Sequence, residues 1–200
     1  MKSVYDLDGT LVSFNTFKVW VILSFVTSIF FLRWFFLTSV VKFAVYRMTG
    51  RMNRLGFKVA LLKIQSRTKF WPYVGKIYGK VLARHYLRQD LLALGDNTIK
   101  CLATAAPDIY ASPFSLEVNR FDVTICAHFT HSGEFIETLN EIKLKFVREQ
   151  FSGQPDLFFT DHYDDIPLAM VAKFTYIVSP SKISERLFSE ALDVECYAII

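Results

Sequence analysis

The hydrophobic pattern of this 200-residue chain changes character near residue 90. Beyond that point, short apolar runs alternate with stretches of helical periodicity, and this alternation predicts a parallel sheet with helical crossovers. The runs typical of strands are Ile99–Ala103, Val123–Ala127, Leu157–Thr160 and Thr175–Val178, and the helical stretches are Glu141–Gln150 and Lys182–Leu192. Near the start of the chain, Val4–Leu7 predicts one more strand. We therefore expect one α/β domain, with a parallel sheet flanked by helices.

The segment between these parts has a different pattern. Residues 17–46 are almost wholly apolar and aromatic. Residues 47–90 show apolar positions three and four residues apart among basic ones, which is typical of helices. We predict that residues 17–90 form an inserted helical unit, with an apolar hairpin followed by basic helices, and that residues 1–16 and 91–200 form the α/β body. Breaks between the helices are expected at Gly50, Gly56, Pro72, Gly75 and Gly79.

Charge is distributed unevenly along the chain. Residues 9–89 contain fourteen Lys or Arg and no Asp or Glu, whereas residues 90–200 contain eight basic and seventeen acidic residues. The net charge of +4 therefore hides a strongly basic insert on a mildly acidic body, which indicates an anionic partner. The insert is too apolar for a surface that follows nucleic-acid phosphates, so we expect no nucleic acid as partner.

The sequence Asp6-Leu7-Asp8-Gly9-Thr10 concentrates the candidate chemistry. If Val4–Leu7 forms a strand, Asp6 and Asp8 lie at its carboxyl end, where open α/β sheets bind ligands. Two carboxylates crowded there repel each other, and Mg²⁺, which prefers oxygen ligands, is their natural partner. A carboxylate can also act as a nucleophile on phosphorus. A plain polar turn is the alternative interpretation, because Asp and Gly also suit turn geometry.

This stretch resembles the opening motif of the haloacid dehalogenase superfamily, most of whose members are phosphatases. Three further motifs of that superfamily can be matched in order. The second is a Ser or Thr that closes an apolar strand, and Thr104 after Ile99–Ala103 fits it. The third is a lysine near the start of a helix, for which Lys143 is preferred over Lys145. The fourth is an acidic strand end, matched by Asp161, Asp164 and Asp165.

The phosphoserine-phosphatase-like branch is the most similar one, because Ala-Ala-Pro follows Thr104 and Asp-Ile-Pro-Leu occupies residues 165–168. The resemblance implies a Rossmann-like sheet, with the insert after the first strand acting as a cap over the substrate. His162 departs from the Ser or Gly that is more frequent in that branch. It raises the question of crowding at the metal site.

The resemblance also implies a role for each matched residue. Asp6 is the nucleophile that becomes an aspartyl-phosphate, and Asp8 is the general acid and base. The residues that bind the phosphoryl group are Thr104, Lys143 and Gly9. The ligands implied for Mg²⁺ are Asp6, the main-chain carbonyl of Asp8, Asp161 and Asp165, with Asp164 as a weaker candidate.

The motifs constrain whether the apolar hairpin enters a membrane. A single crossing would place Asp6 on the opposite side from Thr104 and Asp161, so an odd number of crossings is excluded. Two spans need about 40 apolar residues, and positions 19–46 comprise only 28 residues of all kinds. The open alternatives are a hairpin that dips into one leaflet, helices along the interface, and a packed soluble cap. The first two predict a protein at the cytoplasmic side of the inner membrane, and the third predicts a soluble cytoplasmic protein.

The composition of the insert also bears on the substrate. Recognition of the ammonium group of phosphoserine needs a buried acid, and the insert has no carboxylate before its last residue, Asp90. An apolar hairpin beside many cations suits a lipid phosphate better, and the layout is similar to that of bacterial phosphatidylglycerophosphate phosphatases of this superfamily. We expect a Mg²⁺-dependent phosphomonoester hydrolase with a lipid phosphate as candidate substrate. A soluble phosphomonoester and a non-catalytic membrane-associated protein are the alternatives.

Overall fold

The structure, a computed structural model, describes residues 1–151 and 153–200, which form a seven-stranded sheet with helices on both faces. The strands are β1 (Lys2–Tyr5), β2 (Ile99–Pro107), β3 (Val123–Phe129), β4 (Phe135–Ile136), β5 (Leu157–Thr160), β6 (Phe174–Ile177) and β7 (Tyr197–Ile199). They lie in the order β4-β3-β2-β1-β5-β6-β7, and all neighbours are parallel except β4, which is antiparallel to β3. The expected Rossmann-like α/β fold is confirmed.

The helices that lie between β1 and β2 in the chain belong to the insert, and the later helices belong to the body. The helices are α1 (Thr16–Phe30), α2 (Trp34–Met48), α3 (Arg54–Gln65), α4 (Phe70–His85), α5 (Gln89–Leu94), α6 (Asp108–Val118), α7 (Asn140–Phe151), α8 (Ile166–Ala169) and α9 (Lys182–Ala191), with 3-10 helices at Tyr163–Asp165 and Val194–Cys196. The boundary at residue 90 that the sequence suggests falls inside α5, whose Leu91 and Leu92 are buried.

Two strands have different bounds from those the apolar runs predict. The first strand ends at Tyr5 instead of Leu7, because the chain turns sharply there. The N–H of Val12 donates to the carbonyl of Leu7 at 2.9 Å, and Gly9 has a φ of +73°, a value that favours glycine. The second of these strands, β2, continues past Ala103, so Thr104 lies within the strand rather than after it.

Both faces of the sheet are covered, which explains why its strands are continuous apolar runs. Val4 and Phe158 belong to an apolar cluster with residues of α7 and α9 on one face. Tyr5 and Phe159 stack with their ring centroids 4.5 Å apart on the other face, in a cluster that includes residues of the insert. The insert and the body therefore share one core. The thiols of Cys101 and Cys126 are free and buried.

The apolar hairpin consists of α1 and α2. A tight turn joins them, in which Leu32 has a φ of +50°. Trp20 of α1 and Phe36 and Val40 of α2 are buried, so part of the hairpin packs into the shared core. Among the described residues, no helix combines the length and the apolar character that a membrane crossing requires.

Most of the glycines and the proline that were expected to mark breaks between helices of the insert lie inside helices instead. Gly50 lies in a turn with a φ of +72°, whereas Pro72, Gly75 and Gly79 lie inside α4. Pro72 is in the first helical turn, where its missing N–H is not needed. A Cβ on Gly75 would overlap the carbonyl oxygen of Ile109 in α6. Glycine therefore permits the close approach of α4 to α6 instead of ending a helix. Gly56 is also helical, in α3.

We predict that Gly79→Ala lowers the free energy of unfolding by about 1–3 kcal/mol, the usual cost of overpacking. The added Cβ would lie 2.5 Å from the carbonyl oxygen of Tyr110, which belongs to the backbone of α6. Gly56→Ala is the matched control, because the atoms nearest to its Cβ belong to the movable side chains of Asn53 and Met52. Urea denaturation measures both variants, and equal losses of stability would contradict the close packing of α4 on α6.

Candidate active site

The candidate site lies at the carboxyl edge of the sheet, where the central strands β1, β2 and β5 end. Asp6 follows β1, and its main-chain N–H donates to the carbonyl of Phe159 in β5 at 2.9 Å. Thr104 lies near the end of β2, and Asp161 follows β5. Because parallel strands end at the same edge, side chains from distant parts of the sequence meet here.

The ammonium group of Lys143, near the start of α7, links two carboxylates at this edge. Its Nζ lies 3.0 Å from Oδ1 of Asp6 and 2.8 Å from Oδ2 of Asp165. It also lies 2.7 Å from Oδ1 of Asp165, so the ammonium group faces both oxygens of that carboxylate. Lys145 is exposed and lies 3.9 Å from Glu149. Of the two candidate lysines, Lys143 is thus the one that reaches the cluster.

Two close contacts position the acidic residues that follow β5. The hydroxyl of Thr160 donates to Oδ2 of Asp165 at 2.7 Å, within the buried interior. Asp161 lies directly over Gly9, where a Cβ would overlap Oδ2 of the Asp161 carboxylate. Glycine at position 9 therefore makes room for that carboxylate and also adopts the positive φ of the turn.

Asp8 connects the site to the insert. Its Oδ1 accepts the N–H of Thr16, the first residue of α1, at 2.6 Å, and a carboxylate at a helix N-terminus is favourable. On the opposite wall, Oγ1 of Thr104 accepts the N–H of Ala106 at 3.1 Å. A hydroxyl that accepts one hydrogen bond still has its own hydrogen to donate, so Thr104 can serve an anionic ligand.

Burial and mutual repulsion shift the pKa values of these groups. The pKa of Asp6 is raised to about 8, first by burial and then by the carboxylates of Asp165, Asp161 and Asp8, against the opposing effect of Lys143. Burial also raises the pKa of Asp161 to about 7, with a contribution from Asp165, and it raises the pKa of Asp8. Burial alone would lower the pKa of Lys143, but Asp165 and Asp6 outweigh it and raise that pKa. The cluster carries more negative charge than one ammonium group neutralises.

The donor set fits a cation that keeps part of its water shell. Among residues 1–151 and 153–200, no group of three or more His, Cys, Asp or Glu side chains is arranged to hold a metal ion by itself. Mg²⁺ retains several waters and takes only one or two carboxylates, so Asp6, Asp161 and the main-chain carbonyl of Asp8 are a sufficient protein contribution.

A cavity of about 280 Å³ opens above these groups. The residues of the sequence motifs that line it are Asp6, Asp8, Gly9, Thr104, Lys143, Asp161, Asp164 and Asp165. Phe14, Asn15 and Arg54 extend the wall on the side of the insert. Nδ1 of His162 accepts the N–H of Asp164 at 3.2 Å. The cavity stays open beside that imidazole, so His162 does not crowd the site shut.

Some residues at the site were not anticipated from the sequence. Lys58 of α3 is buried and donates to the carbonyl of Ala105 and to Oε1 of Glu137, both at 2.6 Å. This contact ties the insert to the body beside Thr104. Thr160 could have been found, since it ends the apolar run before the acidic motif. Lys58 and Arg54, however, are two of fourteen cations in the insert, and nothing in their spacing separates them from the others.

Comparison with protein families matches residues 4–170 to the haloacid dehalogenase-like hydrolases. The match spans most of the chain, and the protein belongs to this family. The family expected from the motifs, and with it the expected class of hydrolase, is confirmed. Comparison with curated protein sequences gives no significant match.

Solved structures share the fold at low sequence identity. A protein of unknown function from Bordetella pertussis Tohama I has a TM-score of 0.70 at 14% identity, over 100% of this chain and 97% of its own. A phosphoserine phosphohydrolase-like protein from Francisella tularensis has a TM-score of 0.51 at 15% identity, over 89% and 87%. Phosphoserine phosphatase from T. onnurineus has a TM-score of 0.51 at 13% identity, over 90% and 84%. The chain therefore has the fold of phosphoserine-phosphatase-like proteins.

We predict that Lys143→Met lowers the free energy of unfolding by about 3–5 kcal/mol at pH 9, because buried carboxylates lose their ammonium partner. The loss is smaller at pH 5. The pKa of Asp6 is raised to about 8, so the folded protein binds this proton more tightly than the unfolded chain does. Below pH 8, protonation of Asp6 removes its repulsion with the neighbouring carboxylates, and the lost ammonium group then matters less.

The control for this prediction is Lys145→Met, which changes an exposed lysine and should alter stability by less than about 0.5 kcal/mol. Denaturation of both variants and the wild type is measured at the two pH values without divalent cations. An equal loss at pH 5 and pH 9 would argue against the electrostatic role of Lys143.

Proposed function

We propose that the protein is a Mg²⁺-dependent phosphomonoester hydrolase that works through an aspartyl-phosphate on Asp6. The observation that supports this most strongly is the convergence of Asp6, Asp8 and Asp161 on one cavity beside the buried ammonium group of Lys143. Phosphoryl transfer depends mainly on positioning and on neutralisation of charge. The cluster supplies an anionic nucleophile next to a fixed positive charge.

The proposed reaction has two steps. Asp6 attacks phosphorus with Oδ2, since Lys143 holds its Oδ1. The bond from phosphorus to the ester oxygen breaks, and Asp8 donates a proton to the leaving alcohol. Asp8 then takes a proton from water, which attacks the phosphoryl group and releases inorganic phosphate and free Asp6. The raised pKa of Asp8 supports this role, because it favours a carboxyl group that holds a proton.

The remaining site residues bind the phosphoryl group and the cation. Thr104 donates its hydroxyl to a phosphoryl oxygen, the backbone at Gly9 approaches the phosphate closely, and Lys143 faces the negative charge. The residues that would hold Mg²⁺ are Asp6, Asp8 through its carbonyl and Asp161. Asp165, implied as a ligand by the family resemblance, is instead bound to Lys143 and Thr160, so its proposed role is to orient water on the cation. When bound, Mg²⁺ supplies positive charge to the phosphoryl oxygens.

We infer that residues 17–90 act as a cap, and that the substrate is a lipid phosphate such as phosphatidylglycerophosphate. The second half of helix α1 supports this inference. Its inward face there carries the small hydroxyls of Ser24 and Ser28. Gln65 donates to Ser24 at 2.9 Å and accepts from the indole of the buried Trp20 at 3.0 Å. Past Trp20, polar groups thus lie inside, while the apolar side chains of residues 25–26 and 29–30 are exposed.

The tip of the hairpin is the most exposed apolar surface of the insert. Its aromatic and aliphatic side chains are between 63% and 80% exposed: Phe30, Phe31, Leu32, Trp34 and Phe35. Contiguous apolar surface of this kind marks a docking site. Because the insert is also rich in cations and has no acid before Asp90, an anionic bilayer surface is the partner that fits best. We therefore propose a protein docked at the cytoplasmic side of the inner membrane.

A soluble phosphomonoester is a weaker candidate substrate. The insert and the segment leading into it offer Phe14, Asn15 and Arg54 to the cavity, and none of them can pair with the ammonium group of phosphoserine. Asp164 also lines the cavity, but it follows β5 in the body and is not part of the insert. Recognition of an amino acid thus lacks an available acid on the cap side.

We predict that the purified protein hydrolyses p-nitrophenyl phosphate only with Mg²⁺, and that Asp6→Asn lowers kcat by at least about 10³-fold, as for other lost nucleophiles. Asp90→Asn is the control, since Asp90 is an exposed carboxylate on α5. Phosphate release is the measurement. Turnover that survives in Asp6→Asn would contradict the proposed nucleophile. Failure on a broad panel of phosphomonoesters would instead favour the non-catalytic alternative.

We predict that the protein floats with phosphatidylglycerol-containing liposomes. Phe30→Asp combined with Phe35→Asp should lower the bound fraction at least about tenfold, because two charges then occupy the apolar face. Val194→Asp is the control, since Val194 is equally exposed but lies outside the insert. Release of the wild type by moderate salt alone, or equal binding by both variants, would indicate purely electrostatic contact and undercut the docked hairpin.

A further inference from the structure

A second hollow, of about 380 Å³, lies on the insert between α1 and α4. Its lining residues are Val19 and Leu23 of α1, Tyr78, Val81 and Leu82 of α4, and Phe14 and Tyr86. We call it the α1–α4 groove. Phe14 also lines the catalytic cavity, so the two hollows are neighbours with one residue in common.

Two other hollows on the surface differ from this groove in charge. The one beside the hairpin turn includes Arg33 and Arg67 in its lining. The one between α4 and α6 includes Lys76, Lys80, Asp108 and Glu117. Of the described residues that line the α1–α4 groove, none carries a charge. This groove is therefore suited to an apolar ligand, and it is the hollow that shares a wall with the catalytic cavity.

The apolar face of the groove continues along α1 towards the hairpin tip. Val19, Leu23, Val26 and Phe30 follow one another at intervals of four, three and four residues, which places them on one face of the helix. Val26 and Phe30 are exposed, and a helix of this length extends about 22 Å. An apolar path thus leads from the phosphate site to the surface that is proposed to meet the membrane.

We propose that the α1–α4 groove binds the alkyl chain of the substrate. The phosphate monoester enters the catalytic cavity, and the chain passes Phe14 and lies between α1 and α4. The ligand carries its phosphate at one end and reaches the groove with an alkyl chain, because Phe14 lines both hollows. This inference rests on the phosphatase function proposed above, and it narrows the substrate class to phosphomonoesters attached to long chains.

The partly exposed walls offer places to test the groove at low risk to folding. Val19 is 37% exposed on α1 and Val81 is 39% exposed on α4. A bound alkyl chain would cover both, and burial of apolar surface favours binding. Val41 is 48% exposed on α2 and lies outside the groove lining. The same substitution at all three positions changes the net charge equally.

The experiment measures hydrolysis of butyl, octyl and dodecyl phosphate with Mg²⁺, below the concentrations at which they form micelles. In the wild type, KM should fall at least about tenfold from butyl to dodecyl phosphate, because each added methylene buries apolar surface. Val19→Asp and Val81→Asp should remove most of this dependence, and Val41→Asp should retain it. A wild-type KM independent of chain length, or a dependence that Val19→Asp and Val81→Asp retain, would overturn the proposal.

Binding measured by calorimetry without a divalent cation separates the two proposals. Dodecyl phosphate should bind at least about tenfold tighter than butyl phosphate, and Val19→Asp should abolish the difference. This result without any phosphate release would support the groove and refute the phosphatase function. Hydrolysis without any effect of chain length on binding or KM would refute the groove alone.

Discussion

The ion pairs of the buried Lys143 ammonium group are the interactions on which the rest of the site depends. A charge in the interior is tolerated only when it is paired and hydrogen-bonded, and Lys143 meets this condition through Asp6 and Asp165, which lie 137 and 22 residues away in the sequence. The pairs hold α7, the end of β1 and the acidic turn after β5 together. Asp161 and Asp8 line the cavity beside these pairs, and the proposed divalent cation would complete the site.

The insert differs from the body in which side chains it buries and which it exposes. In the body, apolar strands are covered on both faces by helices, as expected for a parallel sheet. In the second half of α1, the hydroxyls of Ser24 and Ser28 are buried, and apolar side chains such as Ile29 and Phe30 are exposed. This arrangement suits surroundings in which apolar surface is not exposed to water. A phosphatase whose cap contacts lipid and whose cavity stays polar would need both arrangements in one chain.

The fold and most site residues could be predicted because strand-end positions and residue types follow directly from the sequence. The bounds of β5 agree with its apolar run, since both its ends are marked by a change in polarity. Gly75 was misinterpreted as a helix break because the same residue type permits close packing, and only the contact with α6 distinguishes the two. Lys143 and Lys145 are equally placed by helical position, and burial alone separates them. Lys58 depends on tertiary contact and has no local signal.

The most direct test of the central claim is calorimetric titration of the protein with Mg²⁺ at pH 7 in two buffers of different ionisation enthalpy. The raised pKa of Asp6, about 8, means that the free site holds a proton that a cation must displace. The account predicts one Mg²⁺ per chain, binding accompanied by proton release, and loss of both in Asp161→Asn. Saturable Mg²⁺ binding that Asp161→Asn leaves unchanged, or no binding at all, would contradict a cation held between these carboxylates.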